Sequence, residues 1–261
     1  MTRTHRKHRR TSNRKPLLAT LFALLIAGAA IAILLLTYTR PTHPPTLYPD
    51  FGIHMPGNHT IFGIDVSHYQ DDIAWDQVAR MHERNVRIGF AFIKATEGTR
   101  LTDPRFQRNW RQAAAHGIPK GAYHYFIPDR DPATQARHFI ATVKLRKGDL
   151  PPVLDVEETG NIPRNTLRTR VRQWLDIVER HYRVKPILYT GVDFYHKTLG
   201  NAFDEYPLWA AHYLRRQSPR IRRAWSFWQF SDKASVSGIR HRVDFNAFHG
   251  DSADFQRIRL H

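Results

Sequence analysis

What most constrains this chain is the regular return of short apolar runs, with helix-spaced segments between many of them. The runs occupy residues 61–66, 88–93, 121–126, 153–156, 187–189, 208–211 and 225–230. Segments 75–84, 104–116 and 132–144 fall between the first four, and 166–181 follows the fourth. In 166–181, Leu167, Val171, Trp174, Leu175 and Val178 recur on one helical face, and Asn165 or Thr166 is placed to cap its first turn. Continuous apolar strands alternating with amphipathic helices indicate parallel β/α architecture. The alternation weakens after Tyr189, where strand-like runs leave less room for helices. The expected fold is therefore α/β: one β/α barrel with a strand-rich C-terminal part.

Polar residues cluster where such a barrel places its chemistry, at the C-terminal ends of the strands. Asp65 and Ser67 close the first run; Lys94, Thr96 and Glu97 follow the second. His124 and Tyr125 end the third, Asp155 and Glu157 the fourth, Tyr189 the fifth and Gln229 the seventh, with Asp244 in the later segment Val243-Asp244-Phe245-Asn246. The stretch Val153-Leu154-Asp155-Val156-Glu157 is the most telling. Alternation along a strand projects Asp155 and Glu157 from one face, their Cα atoms about 7 Å apart. Two carboxylates that close repel as anions, so one tends to keep its proton, as acid-catalysed glycosidic cleavage requires. Taken alone, an Asp-x-Glu pair also reads as two solvated strand-end acids; the pattern across all the strands decides against that.

The chain has 261 residues and no cysteine, which excludes disulfides and thiolate metal sites. Twenty residues from Leu17 to Leu36 carry Thr20 as their one polar member, enough to span a bilayer core of about 30 Å. Arg3, Arg6, Lys7, Arg9, Arg10, Arg14 and Lys15 precede them with no acid, which orients the N-terminus to the cytoplasm. The organisation expected is a basic cytoplasmic tail (1–15), a transmembrane signal-anchor helix (16–38), a proline-rich extended spacer (39–60) and a barrel domain (61–261). Ala27-Gly28-Ala29 also fits a signal-peptidase site, and a buried soluble helix is a third reading; the apolar block running on to Leu36 favours the anchor. Both membrane readings export the barrel, and the anchor holds the protein in a membrane with its N-terminus on the cytoplasmic side.

Of 40 Lys and Arg and 23 Asp and Glu, eight and one respectively precede Ile61, leaving the later part at +10. Such a surface favours a polyanion. No helix-turn-helix, zinc-finger or RNP pattern supports nucleic acid, so anionic cell-wall polymer or membrane surface is the expected partner. His68, His124 and His212 fit no H-x-x-x-H or H-E-x-x-H spacing, so no metal is expected.

The segments GIDVSHYQ (63–70), FIKATEG (92–98), GAYHYF (121–126), VLDVEE (153–158), ILYTG (187–191), LWAAHY (208–213), FWQFS (227–231) and VDFN (243–246) together resemble glycoside hydrolase family 25, the Chalaropsis-type lysozymes. They occur in the family's order and cover roughly 61 to 248. The resemblance implies a flattened β/α barrel with an incomplete helical ring. It also implies hydrolysis of the β-1,4 bond between N-acetylmuramic acid and N-acetylglucosamine in peptidoglycan, without a cofactor. Glu157 matches the family's general acid and Asp155 its second carboxylate, acting on the anomeric carbon directly or through the sugar's N-acetyl group. Asp65 and Asp244 match two further acids lining the site, although an isolated Asp65 also reads as a cap and Asp244 as part of an Asx turn. Tyr123, Tyr125, Tyr189 and Trp209 occupy positions suited to stacking on sugars or to core packing. Gln229 is expected to bond a sugar or a catalytic acid, and Lys94 to pair with a site carboxylate. The glycan strands of peptidoglycan are the expected substrate and a monomer the expected state.

Two other functions compete. One is a catalytically silent peptidoglycan-binding scaffold of the same fold, which has no need of all four acids. The other is a family 18 chitinase, whose D-x-x-D-x-D-x-E strand end is met here only by its last three positions.

Overall fold

The computed structural model describes residues 26–29, 44–213, 215 and 217–261. Residues 43–261 make one compact unit; of the other, 1–42, only the helical stretch 26–29 is described. Among the described residues no helix is long and apolar enough to cross a membrane. Most of the expected span from Leu17 to Leu36 lies outside them.

The larger unit begins earlier than the sequence suggests. Within the expected spacer, β1 (Thr46–Tyr48) and β2 (Ile53–Met55) pair antiparallel around a turn at Gly52, whose φ of 69° suits glycine. Phe51, Ile53 and Met55 are buried with the core outside the barrel. Proline content signals an extended chain, but the alternation Ile53-His54-Met55 supplies one apolar face, and that face is buried.

Beyond the hairpin, eight strands close a barrel: β3 (Phe62–Val66), β5 (Val86–Glu97), β7 (Lys120–Tyr125), β8 (Val153–Asp155), β9 (Ile187–Gly191), β10 (Leu208–Ala211), β11 (Phe227–Ala234) and β12 (Val243–Phe248). Short strands β4 (His82–Glu83) and β6 (Leu101–Thr102) pair with the two ends of β5. From β3 to β11 successive barrel strands are parallel; β12 runs antiparallel to both β11 and β3 and completes the ring. Only eight residues separate β11 from β12, too few for the crossover a parallel return requires.

Helices α1 (Trp75–Arg80), α2 (Phe106–Ala115), α3 (Pro132–Thr142) and α4 (Arg164–Tyr182) follow β3, β5, β7 and β8 in turn. The buried face of α4 is the expected one: Leu167, Val171, Trp174, Leu175 and Val178. Its cap is not. The helix starts two residues earlier, with Pro163 at the cap position and no side-chain bond, so Asn165 and Thr166 lie inside the first turn. Proline's fixed φ suits helix entry without a capping oxygen. Helix α1 stops at Arg80, short of the expected Arg84, because His82 and Glu83 join β5 and Arg84 takes a left-handed φ of 54°.

After β9 the helical ring breaks into the short turns of 192–203. Orphaned carbonyls of this irregular stretch are met by arginines. Arg168 Nε donates to Thr198 O at 2.9 Å, Arg172 to Ala202 O, and Arg223 to Phe203 O at 3.1 Å and Tyr206 O. Part of the chain's basic excess therefore serves as scaffold.

Inside the barrel, Phe90, Phe92, Trp209, Phe227 and Phe248 pack together, and Phe255 of the C-terminal helix α5 (Ser252–Ile258) joins them. Two glycines make room for these rings. A Cβ at Gly63 would sit 2.5 Å from Phe90 O and 2.6 Å from its ring; one at Gly121 would sit 2.7 Å from the Phe92 ring. Gly63→Ala is therefore expected to destabilise the domain by about 1–3 kcal/mol in urea unfolding, because a backbone carbonyl cannot rotate away as a side chain does. Gly191→Ala, with nothing within 4 Å and φ −68°, is the control and should shift stability by less than about 0.5 kcal/mol.

Candidate active site

The barrel strands alternate inward and outward, and at one rim the inward positions are polar. They line a cleft of about 300 Å³ that includes Asp65 (β3), Lys94 (β5), Asp155 (β8), Gln229 (β11), Asp244 (β12) and Glu157, which lies just beyond β8. Tyr123, Tyr125, Tyr189 and Trp209 also reach it, so all ten expected site residues meet in one place.

Asp244 arrives by a different route from the others. It sits at the start of its strand, not the end, and reaches the same rim because β12 is antiparallel; the ladder pairs it directly with Asp65. Asp65 is buried, and its Oδ2 accepts from Asn246 Nδ2 at 2.7 Å and from Gln229 Nε2 at 3.0 Å. Gln229 Oε1 in turn accepts from the hydroxyls of Tyr189 at 2.7 Å and Tyr213 at 2.6 Å. These bonds fix the Gln229 amide with its nitrogen toward Asp65.

The carboxyls differ in how tightly they hold protons. Burial raises Asp65 to about 6, against the opposing bonds from Asn246 and Gln229. Burial and then the Asp65 charge push Asp244 up to about 8. Burial, followed by repulsion from Glu157 and Asp65, lifts Asp155 well above the carboxylate range, with Lys94 opposing. Asp155 Oδ1 is buried with no hydrogen-bond partner. Glu157 is more exposed at the rim; partial desolvation in the cleft wall raises it, the Tyr189 hydroxyl opposes, and the charge of Glu158 adds to the rise. Groups this close titrate as a set, so the protons belong to the cluster.

Lys94 Nζ bonds Glu97 Oε2 at 2.6 Å and stands 5.1 Å from the centre of the Tyr125 ring. Its ion-pair partner is thus Glu97, while its charge still reaches Asp155 and Glu157. Trp209 is 2 % exposed, stacks on Phe92 with ring centres 4.4 Å apart, and donates Nε1 to Asn246 Oδ1 at 2.8 Å. Tyr189 is 6 % exposed. Both close the cleft floor as core residues, so neither offers a sugar an open ring face.

Asn246, Tyr213 and Tyr69 were not among the expected site residues. Asn246 was detectable by strand alternation, lying two positions beyond Asp244. Tyr213 and Tyr69 sit outside strands, where periodicity carries no signal; both fall within segments that carry the family resemblance, LWAAHY and GIDVSHYQ.

The three histidines are held by protein groups. His68 N and Nδ1 both approach Asp103 Oδ2, at 2.9 and 2.8 Å. His124, buried outside the barrel, lies between Thr96 Oγ1 at 2.7 Å and Gln135 Oε1 at 3.1 Å, and burial lowers it to about 3. His212 Nε2 is 2.8 Å from Arg215 Nε. Among the described residues no group of three or more potential ligands converges on one point.

Comparison with known proteins places this geometry. Residues 64–239 match the family described as Glycosyl hydrolases family 25. The Escherichia coli K12 protein YegX, described as uncharacterized, is 49 % identical over 79 % of this chain and 76 % of its own length. Lysozyme M1 of Streptomyces globisporus is 33 % identical over 73 % of this chain and 68 % of its own. A family 25 glycosyl hydrolase structure from Bacillus anthracis superposes with a TM-score of 0.73 at 32 % identity, covering 82 % of this chain and all of that one. With the family match spanning most of the barrel and the carboxyl cluster at its rim, this chain belongs to glycosyl hydrolase family 25.

Proposed function

We propose that the barrel is a lysozyme: it hydrolyses the β-1,4 bond between N-acetylmuramic acid and N-acetylglucosamine in peptidoglycan. The observation that carries this reading is the Asp155–Glu157 pair on one strand end, gathered with Asp65 and Asp244 in a single cleft. Glu157, at the open rim, protonates the leaving glycosidic oxygen. Asp155, on the floor side with one oxygen unpartnered, supplies negative charge to the oxocarbenium-like transition state on the anomeric side. That division needs a proton on Glu157 and none on Asp155. A bound glycan strips water from the rim, which raises Glu157 further, and its polar groups satisfy Asp155 Oδ1, which lowers Asp155. Substrate binding thereby redistributes a proton within the cluster. Asp65 and Asp244 hold that balance: Asp65 is locked by Asn246 and Gln229, and burial together with the Asp65 charge favours the protonated form of Asp244 within the cluster.

The barrel acts as a monomer on glycan strands, tethered to a bacterial cytoplasmic membrane by the helix from Leu17 to Leu36. The uninterrupted apolar block and the acid-free basic tail before it support the tether. Membrane-extracted protein is expected to retain the tail from Arg3 to Lys15 by intact mass analysis; a soluble mature protein starting near Ala30 would contradict the anchor.

Glu157→Gln keeps shape but removes the transferable proton, so turnover of purified sacculi should fall about 10²–10⁴-fold while glycan binding persists. Mass spectrometry of wild-type products should find muramic acid at the new reducing ends. N-acetylglucosamine ends, anhydro-muramic ends, or more than about a tenth of wild-type turnover in the variant would overturn the assignment.

The acid cluster also sets a pH dependence of stability. Asp244 ordinarily titrates at 3.8 and is raised to about 8 on folding, so between those values the folded protein holds a proton the unfolded chain has released. Stability therefore falls as pH rises through that window. Asp244→Asn should be more stable than wild type at pH 8, by about 1.4 kcal/mol or more, with the difference vanishing toward pH 4 in urea unfolding.

A further inference from the structure

Of the four aromatics expected to stack on sugars, Tyr123 and Tyr125 line the cleft half-buried, while Trp209 and Tyr189 form its buried floor. Trp209 and Tyr189 are covered and hydrogen-bonded, so a pyranose ring cannot lie flat on either. One aromatic at the cleft has the opposite character. Tyr69 lines it and is 72 % exposed, far more open than Tyr213 at 39 %.

An exposed tyrosine on a loose loop would signify little. Tyr69 instead sits on a turn fixed from every side. It is the middle residue of the 3-10 turn His68–Gln70, closed by a reciprocal cap: Ser67 Oγ accepts from Tyr69 N at 3.2 Å, and Gln70 Oε1 accepts from Ser67 N at 2.9 Å. Gln70 Nε2 donates to Arg242 O at 3.2 Å, tying the turn to the loop before β12. His68 is pinned by Asp103, and its ring lies 4.2 Å from that of Tyr69, tilted by 33°. The turn ends at Asp71 in the left-handed region (φ 53°), with His241 Nε2 3.1 Å from its carboxylate. None of these bonds uses the Tyr69 hydroxyl. One ring face packs on His68 and the backbone is immobilised before any ligand arrives, so little ordering entropy is lost on binding.

We propose that Tyr69 is a stacking platform for a sugar outside the cleavage pair, extending the cleft along the glycan past the β3 side. The inference rests on the lysozyme reading for its substrate class, a β-1,4-linked amino-sugar strand. It makes Tyr69 a chain-length determinant: short oligosaccharides held only at the acid-bearing part of the cleft do not reach its ring, and longer ones lay the apolar face of a pyranose on it.

The test is calorimetric binding of β-1,4-linked muro-oligosaccharides, tetrasaccharide against octasaccharide, in the full chain carrying Glu157→Gln to prevent turnover. Adding Tyr69→Ala should weaken octasaccharide binding about 3- to 10-fold, the range for one aromatic contact, and leave the tetrasaccharide unchanged. Tyr69→Phe should restore the octasaccharide affinity, because the ring face is kept. An unchanged octasaccharide affinity in Tyr69→Ala overturns the platform. So does an equal loss for both lengths, which marks a merely structural turn, or a Phe variant as weak as Ala, which marks a hydroxyl contact. Absence of octasaccharide binding with Tyr69 intact overturns it as well. Product analysis of the wild-type enzyme is a separate readout, so a failure of the lysozyme reading is distinguishable from a failure of the platform.

Discussion

The single antiparallel strand β12 is the constraint on which the rest depends. A parallel β/α sheet of seven strands has two open edges, and both are satisfied here by one short strand that pairs with β11 and β3. Closure removes unpaired edge groups and confines the interior, where five inward aromatics fill the space against Gly63 and Gly121. The same reversal carries Asp244 to the rim where the other strands end. Had β12 run parallel, its second residue would lie at the opposite mouth, and Asp65 would lack both Asp244 beside it and the amide of Asn246 below.

Strand and helix identity was legible because burial imposes period on sequence. The five apolar residues of 166–181 are the five that α4 buries, and the inward face of Val153-Leu154-Asp155 follows from alternation alone. What escaped notice lacks period. The hairpin at Thr46–Met55 hides among prolines, and the cap of α4 is a proline rather than a hydrogen-bonding side chain. Tyr69 and Tyr213 belong to turns whose shape is set by partners distant in sequence, such as Arg242 and Gln229. The acids were read from their place at strand ends. For Asp244 that rule reached the right rim only because β12 is reversed, a fact no local pattern announces.

Charge illustrates how composition and structure can point apart. A domain at +10 suggests attraction to a polyanion, yet Arg168, Arg172 and Arg223 spend their donors on backbone carbonyls between Thr198 and Tyr206. There the helical ring is interrupted, and short turns leave carbonyls without intrahelical partners. Arginine suits this use because its planar fork reaches several acceptors at once. Missing helices and surplus arginines are therefore two sides of one solution. The cleft itself is acidic, so the long-range attraction of the surface and the chemistry of the site carry opposite signs.

That opposition explains how four carboxyls coexist beneath a rim in contact with water. Each desolvated acid either holds its proton or finds donors, and the cluster uses both routes. Asp65 takes two amide N–H groups and stays nearest the ordinary range among the acids with a stated value, at about 6 against about 8 for Asp244. Asp155 has the charge of Lys94, itself paired with Glu97, to oppose its burial, and is lifted well above the carboxylate range with an oxygen left bare. An unsatisfied buried acceptor is a standing destabilisation that any ligand N–H or O–H relieves. Substrate therefore meets a buried acceptor that lacks a donor, while the aromatic packing and the strand ladder that close the barrel beneath it do not involve the acids' side chains.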